Sequence, residues 1–225
     1  MRRNHAAALA AAALLCAGAA AALISATGCG GGTGGGGGGA DNVTVLHPDA
    51  PPLPGETECK VVETTDIPIE GETHVATCTA VAYATNPPSG GDHWAQWAKY
   101  QKYASPVPRE MYVHDLEHGA IVLLYRCADA CPDVVAALSE VLASVSDPAC
   151  PVPRVILAPD PLLDTPIAAA AWGATYTATC IDVASLKAFA EAHHAEAPED
   201  ECADGVDVSG ADPCAATDAG ADAAS

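Results

Sequence analysis

Eight cysteines between Cys59 and Cys214 restrict the folds open to this chain more than any other feature it carries. They are Cys59, Cys78, Cys127, Cys131, Cys150, Cys180, Cys202 and Cys214, with Cys16 and Cys29 far to their N-terminal side. An even set in an exported chain implies a disulfide framework whose connectivity spacing alone does not fix. Cys127 and Cys131 are close enough to close a local loop. Cys150 with Cys180, and Cys59 or Cys78 with Cys202, are the expected long-range staples. A thiolate zinc site at Cys127 and Cys131 suits an oxidising compartment poorly. A thioredoxin-like motif would have two intervening residues, and this pair has three.

The N-terminus supplies the reason to expect export. Arg2 and Arg3 precede an uncharged, Ala-rich run from Ala6 to Ile24, followed by Ser25-Ala26-Thr27-Gly28-Cys29 and a Gly tract from Gly30 to Gly39. A charged start, an apolar stretch and small residues describe a secretory signal. Cys29 after Ala-Thr-Gly resembles a bacterial lipobox, in which that Cys carries the lipid, although Ala26 stands where Leu is usual. A signal cut elsewhere and an uncleaved membrane anchor are the alternatives, the apolar run being about the length that spans a bilayer. The division expected is a signal peptide over 1–29, a Gly-rich tether over 30–42, a single domain over 43–202 and an acidic, disordered tail over 203–225. The tether's ten Gly-rich residues reach about 17 Å as a flexible coil.

Without the leader's two arginines, seven basic residues face 29 acidic ones, a formal charge of −22. That excess argues against nucleic acid or an anionic membrane face as a partner, and it favours cations. The expected membrane contact is therefore the lipid anchor alone, with the domain in the cell envelope and its protein partners undefined.

Within the domain, Lys60–Thr64, Ala80–Thr85, Ala120–Tyr125, Arg154–Leu157 and Ala174–Ile181 carry strand-like composition. Ala168–Ala171 fits strand or helix. Pro132 opens a helical pattern through Val134, Leu138, Val141 and Val145, and Asp182 can cap another whose inner face holds Leu186, Phe189 and Ala190. Trp94, Trp97, Tyr100 and Tyr103 recur about every three residues, as on a short amphipathic helix. The expected fold is α+β, a small mixed sheet packed by two helices and stapled by disulfides.

Chemistry concentrates at Val113-His114-Asp115-Leu116-Glu117-His118-Gly119. Two imidazoles four residues apart point the same way on a helix or on a strand. Glu117 joins their face only if the segment is helical. With His74 and His93 they form a candidate ligand set for zinc or copper(II). Neighbouring Tyr and Trp residues could wall such a site, or simply form a core while each His bonds to backbone. His114 to His118 also matches the H-x-x-E-H pattern of inverzincin proteases, with Glu117 working on the attacking water. Gly119 and the strand-like run after it argue against the long helix that motif needs. His193-His194 suits a helix C-terminus, His47-Pro48 a loop, and Ser89 a turn without the nucleophile-elbow pattern. The Gly tract has no Lys-Ser/Thr for phosphate.

Taken with Asn86-Pro87-Pro88-Ser89-Gly90-Gly91-Asp92-His93-Trp94, these blocks resemble the bacterial domain of unknown function three-one-zero-five. The matching features fall at Tyr83, Pro87 to His93, Val113 to Gly119, Trp172-Gly173 and Pro198-Glu199, over about residues 74 to 202. The resemblance implies that His93, His114, Glu117 and His118 are family features, and it implies no activity. Asp92 stands where the family usually has Pro, and Asp115 where it has Asn; both add negative charge beside proposed ligands.

The expected function is metal binding or handling by a lipid-anchored envelope protein. Its ligands would be His93, His114 and His118, with His74 as a fourth. The rivals are a metalloenzyme using Glu117 as base and a metal-free interaction module.

Overall fold

The computed structural model describes residues 41–127, 130–210 and 213–215. The leader, Cys29, the tether up to residue 40 and the residues from 216 onward lie outside them. In chain order the elements are β1 (Asn42–Leu46), β2 (Val61–Thr65), β3 (His74–Val75), β4 (His93–Trp94), α1 (Arg109–Glu117), β5 (Ile121–Tyr125), α2 (Pro132–Ser144), β6 (Val155–Pro159), β7 (Ile167–Ala171), β8 (Ala174–Ala178) and α3 (Val183–His193).

Six strands form one mixed sheet in the order β1-β2-β8-β7-β5-β6, and β3 and β4 form a separate parallel pair. Only β5 and β6 run parallel within the main sheet, joined by α2. The continuous apolar sequence of β5 follows from burial on both faces. Ile121 and Leu123 pack with Leu138 of α2 and with Leu186 and Phe189 of α3, while Val122 and Leu124 pack with Met111, Tyr112 and Leu116 of α1. The ambiguous alanines lie in β7, between β8 and β5, where small side chains let both layers approach.

The α+β expectation holds, with three helices among the described residues rather than two. The third is α1, which carries the His-rich block. Trp94–Tyr103 is not a helix, because its backbone donors have tertiary partners. Ala98 N–H bonds the Asp115 carboxylate, Lys99 N–H the Val206 carbonyl and Tyr103 N–H the Leu157 carbonyl. Trp94, Tyr100 and Tyr103 are buried all the same, so their spacing reported burial and not backbone. Ala80–Thr85 likewise forms no strand; the N–H of Val81 bonds the Glu110 carboxylate.

The bridges are Cys59–Cys180, Cys78–Cys214, Cys127–Cys131 and Cys150–Cys202. The local pair is as expected and the long-range guesses are corrected. Val61 faces Ala178 across β2 and β8, and the same antiparallel register continued two residues outward sets Cys59 opposite Cys180. Cys180 is thereby taken from Cys150, which pairs with Cys202. Packing also continues past Cys202, where composition had placed the domain's end. Val206 pairs in both directions with Trp97 and Lys99, Val208 is buried and Cys214 is tied to Cys78.

Candidate metal centre

The block is helical through Glu117, which settles the face of that residue. Helix α1 ends at Glu117 with His118 as its C-cap. Gly119 then takes φ +86. Its N–H bonds the Leu116 carbonyl and the N–H of Ala120 bonds that of Asp115, both at 2.9 Å. This is a Schellman ending, which favours Gly at the left-handed position. A side chain there would also meet Ala195 Cα at 2.9 Å. Gly119 thus both turns the chain into β5 and admits the segment after α3.

His74 and His93 face each other as register partners on β3 and β4. His114 comes from α1, and the three rings lie 4.6 to 4.9 Å apart, centroid to centroid. Glu117 Oε2 is 3.0 Å from His93 Nε2 and 3.8 Å from His74 Nε2. One ligand atom from each of these four residues lies within 4.8 Å of every other. His93, His114 and Glu117 are buried, while His74 is half exposed and faces solvent.

Backbone carbonyls fix two of the rings. His93 Nδ1 donates to the Gly91 carbonyl at 2.8 Å, and His114 Nδ1 donates to the Trp94 carbonyl at 2.7 Å. A carbonyl oxygen only accepts, so in a neutral ring Nε2 is left with a bare lone pair. Burial pushes His114 down to about 3, with the Trp94 carbonyl partly opposing it, so this ring is neutral at physiological pH. His93 Nε2 is buried and makes no hydrogen bond despite its closeness to Glu117. Burial raises the Glu117 carboxyl, an effect that His93 and His74 partly offset.

His118 does not converge with the other three imidazoles. Its ring packs edge-on to His114, but its Nε2 lies 3.4 Å from Oε2 of Glu199. Glu117, His118 and Glu199 form a second group with ligand atoms within 4.8 Å of one another. Glu199 was not among the ligands expected from the sequence, although Pro198-Glu199 was among the blocks carrying the resemblance. Of the aromatic residues around the block, Trp97 stacks near the rings of both His114 and His118.

The two substituted aspartates act away from the ligand atoms. Asp92 Oδ1 accepts from Thr73 N–H, steadying the approach to His74. Asp115 is fully buried, its Oδ2 accepts from Ala98 N–H, and burial holds its carboxyl well above the ordinary range. A protonated Asp presents an O–H donor and a carbonyl acceptor, much as an Asn amide presents N–H donors and a carbonyl. Because its folded pKa is raised, its contribution is fully present below the unfolded value of about 3.9 and is lost as pH rises. Asp115→Asn is therefore expected to stabilise the domain by about 1–2 kcal/mol at neutral pH. Urea midpoints should show the gain shrinking toward pH 4.

The other singled-out residues are structural. His193 ends α3, His194 caps it and sits 3.4 Å from Asp147, and Ser89 Oγ pairs with Thr85 at 3.1 Å. Among the described residues no helix is long and apolar enough to cross a membrane.

The model of the family described as protein of unknown function (DUF3105) matches residues 74–205, more than half of the chain, and the chain belongs to that family. No curated protein and no solved structure matches it. The matched span contains all four residues of the first group and all three of the second.

Proposed function

From that membership and the geometry of the first group, we propose that the chain is a metal-binding or metal-handling protein, exported and lipid-anchored in the cell envelope. The observation that carries the reading is the arrangement around His93 and His114. Both rings commit Nδ1 to a backbone carbonyl, so with the rings neutral two Nε2 lone pairs are turned toward the buried carboxyl group of Glu117. Lone pairs set against an anion in a low-dielectric interior repel one another, and a cation between them reverses the sign of every interaction. The Nδ1 bonds are the kind of outer contact that orients metal-bound imidazoles.

Three nitrogens and one oxygen, without sulfur, suit zinc or copper(II) better than copper(I). Four protein ligands complete a tetrahedral zinc shell, whereas catalytic zinc keeps a position for water. That favours holding over hydrolysis, with Glu117 as ligand and not base. Half-exposed His74 is the ligand through which an ion would enter or leave. The export reading rests on the leader and is supported by four bridges of the kind that persist in oxidising compartments.

The test is metal analysis of the untagged chain, expressed for export and purified without chelators. Zinc or copper is expected at one ion per chain or more, with a melting temperature that rises on adding metal. Metal-free protein whose melting temperature ignores saturating zinc and copper would leave the interaction-module reading in its place.

A further inference from the structure

We infer that Glu117 is a bridging carboxylate, and that His118 and Glu199 hold a second divalent transition-metal ion beside the first. The inference rests on the metal-binding reading above and extends it from one ion to two. Glu117 belongs to both ligand groups, the His74, His93 and His114 set on one side and the His118 and Glu199 set on the other. A carboxylate has two oxygens with about four lone-pair sites, enough to serve two ions at once. Carboxylate-bridged pairs hold their ions about 3.5–4 Å apart.

The second group does not depend on acidic residues alone. His118 is 2 % exposed, and its buried Nδ1 makes no hydrogen bond. Its Nε2 faces Glu199 Oε2 at 3.4 Å, longer than a close charge-assisted bond. The second group therefore sets a buried imidazole nitrogen beside the carboxyl groups of Glu117 and Glu199, the three donors an ion between them would use.

Glu199 reaches the group because the segment after α3 is fastened at several points to the end of α1. Ala195 N–H bonds the Gly119 carbonyl at 2.9 Å, and Glu199 N–H bonds the carbonyl of Glu117 itself at 3.1 Å. Arg154 Nη1 donates at 2.8 Å to both the His118 carbonyl and Asp200 Oδ1. The Cys150–Cys202 bridge closes the segment three residues beyond Glu199. These contacts fix backbone on both sides of a side chain that is itself 55 % exposed. The second ion would therefore sit nearer solvent than the first and exchange faster.

The test uses the untagged full-length chain, stripped of metal and titrated with zinc by equilibrium dialysis with elemental analysis. Two equivalents are expected for the wild type. Glu199→Gln and His118→Gln should each bind one, and His93→Ala/His114→Ala should lose the tighter one. Glu199→Gln changes an exposed side chain, so it remains informative if His118→Gln fails to fold. Copper(II) gives an independent reading: two ions this close broaden one another's paramagnetic resonance, and the broadening should vanish in Glu199→Gln. A single equivalent in the wild type would overturn the second position and leave the first standing. Two equivalents unaffected by Glu199→Gln would do the same, as would two copper ions without mutual broadening. No metal at all would overturn both readings.

Discussion

His93→Ala/His114→Ala is expected to lower zinc affinity at least about a thousandfold. Outer contacts to metal-bound imidazoles are worth about 10–100-fold each, and direct ligands are worth more. A thousandfold is about 4 kcal/mol of binding free energy. The variant removes both rings whose lone pairs are aimed by backbone, leaving Glu117 and half-exposed His74. His74→Ala alone should cost less, because its ring is half exposed to solvent. Competition with a chromophoric zinc chelator measures the affinities. Far-ultraviolet circular dichroism checks that the double variant keeps its fold, since both imidazoles are buried. Equal losses for His74→Ala and the double variant would mean that the aimed pair is not the centre of the site.

The grouping of these side chains was legible in the sequence to the extent that local geometry decides it. His114 and Glu117 lie three apart and share a face once α1 forms. The i to i+4 argument also placed His118 beside His114, and the rings do touch, at 4.5 Å between centroids. It could not show that their nitrogens serve different groups. That division depends on Glu199, which arrives from 81 positions further along the chain through the fastened segment. The closeness of His74 to His93 had no local signal in the sequence, because two-residue strands such as β3 and β4 leave no periodicity to read. The helix expected at Trp94–Tyr103 failed for a related cause. Aromatic spacing reports which residues are buried, and here burial is arranged by bonds to Asp115, Leu157 and Val206. Disulfide pairing was no more legible, since it follows strand register. Cys59 meets Cys180 because β2 lies next to β8, and nothing near either cysteine announces that neighbour.

Arg154→Met is expected to destabilise the domain by about 3–5 kcal/mol at neutral pH, the usual cost of removing one member of a buried pair. Arg154 and Asp147 are each 1 % exposed at the side chain and meet at 2.8 Å. Burial alone would raise Asp147, but the Arg154 bond and charge, with His194, outweigh it and hold the carboxyl below its usual value. A depressed carboxylate contributes stability that is present above its unfolded value of about 3.9 and lost as pH falls through the folded one. The wild type should therefore weaken on acidification. In Arg154→Met the carboxylate keeps His194 and the N–H groups of Ala149 and Cys150 but loses its main charge partner, so its carboxyl shifts up and the variant is hurt most where Asp147 must ionise. The gap between the two proteins should be widest near pH 7 and narrow toward pH 4, as read from urea midpoints. Arg154→Met/Asp147→Leu removes both charges and should recover much of the loss, since apolar replacement of a buried pair is often close to neutral. Stability is only part of what the double variant would lack. Without the guanidinium, the His118 carbonyl and Asp200 lose their common donor, so the segment carrying Glu199 is held to α1 by fewer contacts. A double variant that recovers stability but still binds the second zinc ion more weakly would show that this arginine positions the ligand as well as supporting the fold.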